Sequence, residues 1–365
     1  MDSQQYNDGF EYQASASRIL FGSGTINKIG DELRRINSSN PLILCTPQQV
    51  SQAEDVKTIL HGKVAGIFAE ATMHTPVDVT ERAISTARFT KCDSVVSIGG
   101  GSTIGLGKAI CFRTGLYHIA LPTTYAGSEV TSILGETQNG RKTTQTNRMI
   151  FPGTVIYDVD LTLSLPVELS ITSGVNAISH AVEALYSQTR NPITDLLARE
   201  GVAALAEALP VLRANDPATL KTARTKALYG SWLCGTCLGS VGMALHHKLC
   251  HTLGGTFGLP HAETHTIVLP HALAYNAPKV PEAMATLAAV LPGSEGDAVR
   301  GLNVLLNRLG VKRDLKSYGF REEDIPKAVD IALSNPYWNP RPLERKALEG
   351  LMRRAWAGED AKADL

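Results

Sequence analysis

The run Ser94-Val95-Val96-Ser97-Ile98-Gly99-Gly100-Gly101-Ser102-Thr103 decides how the first half of the chain folds. An apolar, β-branched segment ends in three glycines, and residues of helical composition follow from Thr103 to Phe112. A strand that passes through glycines into a helix leaves helix N-terminal N–H groups with no partner in the helix. The glycines let a phosphate approach the backbone closely, and Ser102 adds a hydroxyl donor. The spacing is not G-x-G-x-x-G, so an ordinary Rossmann fingerprint does not follow from it. Taken alone, the run is also compatible with a glycine turn that binds nothing.

Outward from this run the same texture repeats. Pro41–Cys45, Val64–Phe68, His118–Leu121 and Thr154–Tyr157 are further short apolar runs, and helical stretches such as Val79–Thr90 separate most of them. Apolar strands alternating with helices predict a parallel sheet covered on both faces. A second turn, Leu121-Pro122-Thr123-Thr124-Tyr125-Ala126-Gly127-Ser128-Glu129, follows a strand and adds the hydroxyls of Thr123 and Thr124 beside a glycine. Two such turns after neighbouring strands point to a nucleotide diphosphate. The polar stretch Gly135–Phe151 interrupts the rhythm and reads as a hairpin or loop. From Leu163 onward strand signals vanish and Ala-rich helical patterns take over, broken at Pro166, Pro192, Pro210, Pro217, Pro260, Pro270 and Pro278. The expected organisation is an α/β dinucleotide-binding domain at 1–162 and an all-helical catalytic domain at 163–365, with ligands in the cleft at the carboxyl ends of the strands.

Composition narrows the function. The 365 residues carry 35 Lys and Arg against 35 Asp and Glu, which disfavours a nucleic-acid binder. No apolar run reaches the roughly 18 residues of a membrane span, and Met1–Asp8 has no signal-peptide pattern. Six sparse cysteines fit reduced thiols in a cytoplasmic protein, with Cys234 and Cys237 read as a packed core pair rather than a redox centre.

The histidines carry the chemistry. Six of ten crowd into 26 positions: His246, His247, His251, His261, His265 and His271. His247 and His251 are i,i+4 on one helical face, and Asn176 and His180 repeat that spacing upstream, on a helix with an apolar stripe of Val175, Ile178, Val182 and Leu185. His261 follows Gly258-Leu259-Pro260, a break that places it at the next helix start. One histidine alone is usually structural; a cluster at this spacing lines an active site.

These features resemble the iron-type, group III alcohol dehydrogenase superfamily, whose fold is like that of dehydroquinate synthase. In that superfamily a Gly-Gly-Gly-Ser turn binds NAD(P), and one Asp and three His hold a divalent metal. Residue by residue, the metal positions fall on Asn176, His180, His247 and His261, and a further cleft histidine on His251. Two positions depart from the metal-dependent pattern: Asn176 replaces the Asp, and Gly105 replaces the acidic residue of Gly-Gly-Gly-Ser-x-x-Asp. Both departures resemble the maleylacetate reductase branch. So do Ala71-Thr72-Met73-His74, Leu245–Thr256, Leu259–His265 and Asn339-Pro340-Arg341-Pro342-Leu343-Glu344. The likeness spans about Phe21 to Gly358.

The resemblance implies NAD(P)H-dependent reduction of maleylacetate to 3-oxoadipate in aromatic-compound degradation, by a cytoplasmic homodimer. Gly99, Gly100, Gly101, Ser102, Thr103, Thr123, Thr124 and Lys142 would hold the cofactor, and Tyr125, Asn176 and His261 the dicarboxylate substrate. His251 would donate the proton, with His247 and His180 positioning or stabilising an oxyanion; Lys248 and His246 would point elsewhere. Because three neutral imidazoles and an amide bring no negative charge, no metal is expected, and the histidines are free to carry positive charge toward a dianion. Pro47 after the second strand is neither acidic nor basic, so NADH and NADPH are both expected to serve. A metal-dependent alcohol or aldehyde dehydrogenase, and a related reductase recruited to biosynthesis, are the alternatives on the same scaffold.

Overall fold

The computed structural model describes residues 9–14, 17–138 and 141–363. The described residues divide into two compact units, one within 14–165 and one within 166–363, the second also taking in residues 9–13. The division falls a few residues after the expected 162/163. The turn Val159–Thr162, capped by the Asp158 side chain, still belongs to the sheet it follows. Asp158 also accepts the N–H groups of Gly24 (3.0 Å) and Ile26 (2.8 Å).

The α/β unit runs β1 (Arg18–Phe21), α1 (Ile29–Arg35), β2 (Pro41–Leu44), α2 (Val50–Ile59), β3 (Gly66–Phe68), α3 (Val77–Phe89), β4 (Ser94–Gly99), α4 (Gly101–Thr114), β5 (Tyr117–Pro122), β6 (Ile133–Gln138), β7 (Arg141–Thr146) and β8 (Thr154–Tyr157). Six strands form one parallel sheet in the order β1-β8-β5-β4-β2-β3. In register, Val96 of β4 lies between Ile43 and Ile119. One face buries Ile43, Val96 and Ile119 with Ile29, Leu33 and Val56 of α1 and α2. The other buries Leu42, Leu44 and Val95 with Ala83 of α3 and Leu106 and Ile110 of α4. Burial on both faces is why these strands read as continuous apolar runs rather than alternating ones. The strand order reverses between β2 and β4, a topological switch point, and the triple glycine sits at its carboxyl edge.

The polar stretch expected as a hairpin or loop is an antiparallel hairpin, β6 against β7. Lys108 of α4 anchors its approach. Fully buried, its ammonium donates to Ser128 O (2.5 Å), Thr131 Oγ1 (2.9 Å) and Ile133 O (3.0 Å).

The second unit is helical: α5 (Val167–Ala184), α6 (Pro192–Ala214), α7 (Pro217–Ser240), α8 (Leu245–Phe257), α9 (His261–Asn276), α10 (Pro281–Ala288), α11 (Ala298–Leu309), α12 (Ile325–Ser334) and α13 (Arg345–Ala357). Pro192 and Pro217 open helices and Pro166 and Pro260 cap them, as expected of breaks. Pro210 and Pro270, also expected as breaks, lie inside α6 and α9, where buried neighbours on either side carry the helix past the missing N–H. Leu245, Leu249 and Leu253 of α8 pack with Ile267 and Val268 of α9 and Leu348 and Leu351 of α13. Cys234 and Cys237 are buried free thiols, and burial pushes the Cys237 thiol up to about 12. Among the described residues no single helix is long and apolar enough to cross a membrane.

Replacing Lys108 by Met removes donors from two backbone carbonyls and a buried hydroxyl. The loss is expected to be about 2–4 kcal/mol of stability, read as a lower urea midpoint; an unchanged midpoint would show that the amine is not the anchor.

Candidate functional site

In the α/β unit the two turns meet side by side. Thr123 N–H donates to Gly99 O (3.0 Å), and Gln49 Nε2 donates to Thr123 Oγ1 (2.9 Å). A Cβ on Gly100 would stand 2.9 Å from Thr124 Cγ2, and one on Gly99 would stand 2.4 Å from Thr103 Oγ1. Glycine is therefore required where the backbones close up, independently of any ligand. What marks a cradle is the helix behind it: Gly100 caps α4 without a side-chain bond, and the first turn (Gly101, Ser102, Thr103) carries no acid. Its N–H groups and dipole are available to an anion. A cleft of about 300 Å³ adjoins Ser102 and extends past Thr46 and Gln48 after β2 to Glu70 and Met73 after β3. Gly105, where the superfamily carries an acid, leaves room for Thr75, whose Oγ1 would lie 2.6 Å from a Cβ there. Tyr125 is wholly buried in the turn after β5. Lys142 lies in β7, and its side chain falls outside the described residues.

In the helical unit the structure brings the histidines together from three helices. The His180 ring of α5 lies 5.3 Å from that of His247 (α8) and 6.4 Å from that of His265 (α9). His247 lies 6.0 Å from His251 and 5.0 Å from His265, and His261 lies 4.3 Å from His265. Burial, and after it Arg313 and Arg354, lowers His271 to about 3.

His265, counted among the clustered histidines, takes its place there through the i,i+4 spacing of His261 and His265. Two participants escaped the sequence reading in part or whole. His246, expected to point elsewhere, is buried with Nε2 2.9 Å from His265 Nδ1. Tyr337 places its hydroxyl 2.9 Å from His251 Nδ1, a partner 86 residues away.

The decisive missing residue is Glu183. Fully buried, it accepts the N–H groups of Ala244 (2.7 Å) and His246 (2.7 Å), and its Oε2 lies 2.8 Å from His247 Nδ1. A carboxylate acceptor puts the proton on Nδ1 and leaves His247 Nε2 with its lone pair. His180 and Glu183 are i,i+3 on α5, so the spacing held the signal.

Three of the histidines do not carry the expected positive charge. Burial, and after it the neighbouring histidines, hold His180, His246 and His265 well below the ordinary imidazole range, so these rings are neutral. Neutral rings are metal ligands. Asn176 Oδ1, His180 Nδ1, His247 Nε2 and His265 Nε2 are buried with no hydrogen-bond partner among the described residues. Such orphans are costly in a packed interior. His246, Cys250 and His265 also bring ligand atoms within 4.8 Å of one another. Imidazoles with an amide oxygen suit a borderline divalent ion such as iron(II) or zinc. The residues present thus fit a metal, which Asn176, His180 and His247 would hold beside His265, with negative charge one layer out on Glu183; His261, the fourth position of the resemblance, has its ring 4.3 Å from that of His265.

Two outcomes follow from this geometry. Gly100→Val is expected to abolish dinucleotide binding while the helical unit keeps its circular dichroism; binding as before would make the turn purely structural. Glu183→Gln is expected to loosen iron(II) or zinc about 10–100-fold in an anaerobic titration; unchanged affinity would show that Glu183 does not orient His247.

Comparison with known proteins gives the same result at the level of sequence. Residues 16–159 match the family model for iron-containing alcohol dehydrogenases, and residues 170–356 match the model for the C-terminal part of the Fe-containing alcohol dehydrogenase family. A maleylacetate reductase from Rhizobium sp. (strain MTP-10005) is 51% identical over 349 residues, 96% of this chain and 98% of that one. The crystal structure of maleylacetate reductase from Agrobacterium tumefaciens superposes with a TM-score of 0.92 at 50% identity, covering 96% of this chain and 99% of the other. An iron-containing alcohol dehydrogenase from Corynebacterium glutamicum gives 0.91 at 42% identity, covering 96% and 98%. The iron-containing family models, together with the buried donor groups, overturn the expectation that no metal is bound. That expectation counted charge only among the four direct positions and missed Glu183 behind them. The chain belongs to the iron-containing alcohol dehydrogenase family.

Proposed function

We propose that the chain catalyses the NAD(P)H-dependent reduction of maleylacetate to 3-oxoadipate, a step in the breakdown of aromatic compounds. The observation that carries this reading is the near full-length likeness to maleylacetate reductases at about half identity. The site supports it. The turns at Gly99–Thr103 and Thr123–Thr124 take the pyrophosphate of the nicotinamide cofactor on backbone N–H groups and hydroxyls. The histidine pocket of the helical unit takes the dicarboxylate.

Hydride passes from nicotinamide C4 to the carbon–carbon double bond conjugated with the ketone. The electron pair moves to the ketone oxygen as an enolate, and a proton from the protein completes the saturated 3-oxo acid, leaving NAD(P)⁺. A divalent cation, when bound, supplies positive charge toward the ketone oxygen and the substrate carboxylates. His251 donates the proton, its ring fixed at Nδ1 by the Tyr337 hydroxyl 2.9 Å away. His180 and His247 orient the reacting oxygen. All six cysteines are free, which supports a reducing, cytoplasmic setting, and a homodimer is the assembly we expect.

The test is oxidation of NADH and of NADPH by the purified protein with maleylacetate beside simple aldehydes. Turnover with maleylacetate and little with aldehydes is expected; the reverse would make the chain an aldehyde or alcohol oxidoreductase. His251→Asn keeps hydrogen bonding without proton donation, so turnover should fall about 10²–10⁴-fold with cofactor affinity unchanged. Near-native turnover in that variant would remove His251 from the role.

A further inference from the structure

The cleft beside the glycine turn has a direction. Ser102, in the first turn of α4, marks its phosphate end. From there it crosses the carboxyl ends of β2 and then β3, the two strands that follow β4 on that side of the sheet. It passes Thr46 and Gln48 and ends beside Glu70 and Met73. In dinucleotide-binding α/β sheets the adenosine ribose leaves the pyrophosphate toward the neighbouring strand end, and an acid there bonds the 2′-hydroxyl. In this chain Pro47, three residues after β2, stands there and has no charge. The acid comes instead from the next strand, as Glu70 two residues after β3.

The charge around Glu70 is settled by its partners. Arg82 of α3 donates from Nε to Glu70 (2.9 Å) and from Nη1 to Asp78 (2.9 Å). One guanidinium is shared by two carboxylates, so this group carries net negative charge, and the fork of Arg82 is already engaged. No residue lining the cleft is cationic. A 2′-phosphate, with a charge of about −1.5 to −2, would meet a carboxylate and find no clamp. A 2′-hydroxyl would meet an acceptor.

We propose that Glu70, projecting into the cleft from the end of β3, selects the cofactor by rejecting a 2′-phosphate, so that the protein takes NADH in preference to NADPH. This rests on the dinucleotide reading of the glycine turn. Glu70 and Arg82 are about half exposed, so solvent and salt weaken the repulsion. The expected discrimination is about tenfold for charges a few ångströms apart under such screening.

The experiment measures Kd for NADH and for NADPH, by nicotinamide fluorescence, on the intact wild-type protein and on Glu70→Gln, at low and high salt. Wild type should bind NADH about tenfold more tightly, with the ratio shrinking as salt rises. Glu70→Gln should raise NADPH affinity and lower NADH affinity a few-fold, leaving a ratio near one that salt does not change. Equal affinities in wild type, or a ratio untouched by the substitution, would overturn the assignment to Glu70 while leaving the dinucleotide site in place. Failure of wild type to bind either nucleotide would overturn the dinucleotide reading itself. Circular dichroism of Glu70→Gln accompanies the titrations, and Glu70→Ser, a smaller neutral side chain, should shift the ratio in the same sense.

Discussion

The buried carboxylate of Glu183 is the constraint on which the helical unit's site depends. Helix α8 begins at Leu245 with Ala244 as its cap, and alanine has no side chain to satisfy the first N–H groups. Glu183 reaches from α5 and accepts two of them, from Ala244 and His246, within 2.7 Å. Negative charge at a helix N-terminus is favourable in itself. The same oxygen pair then holds His247 Nδ1. One side chain therefore fixes where α8 starts, how it is rotated against α5 and which nitrogen of His247 faces the pocket. His251, one turn further along α8, inherits that rotation, and Tyr337 locks its ring from the other side.

The two functional regions differ in how far their sequence could be read. The phosphate cradle is made by backbone, at the join of one strand and one helix, so ten consecutive residues from Ser94 to Thr103 contain nearly all of it. The strands from β2 to β5 and β8 were legible for the same reason: burial on both faces writes itself as an apolar run. Strand β1 was not, because Arg18-Ile19-Leu20-Phe21 is short, opens on an exposed arginine and pairs only with β8 at the sheet edge. Pro210 and Pro270 misled because a local penalty was outweighed by packing on both flanks.

The histidine pocket is a product of packing. Its members were visible as a crowd, but spacing along one helix says nothing of which neighbour another helix supplies. Glu183 lay three residues after His180, yet its partners are more than sixty residues away, at the start of α8. Tyr337 was invisible for the same reason. His246 was assigned to the wrong side because the face of α8 was judged from α8 alone, whereas α9 brings His265 to meet it.

Asn176 takes on a different meaning in this setting. An aspartate there would place a negative charge directly among the donors, and a bound divalent ion would show the substrate correspondingly less positive charge. With an amide at that position and neutral imidazoles at His180 and His265, these three groups bring no charge of their own. The carboxylate behind His247 is Glu183, occupied by three hydrogen-bond donors. Its field reaches the pocket through an imidazole rather than directly. The arrangement retains a carboxylate–histidine pair that orients a ligand, while leaving more of the cation's charge facing the cavity. A monoanionic or neutral substrate gains little from that, whereas a dicarboxylate gains twice, once for each charge it brings into a buried site. On the proposed function, Asn176 would thus tune a retained metal site for a substrate with two negative charges rather than abolish it.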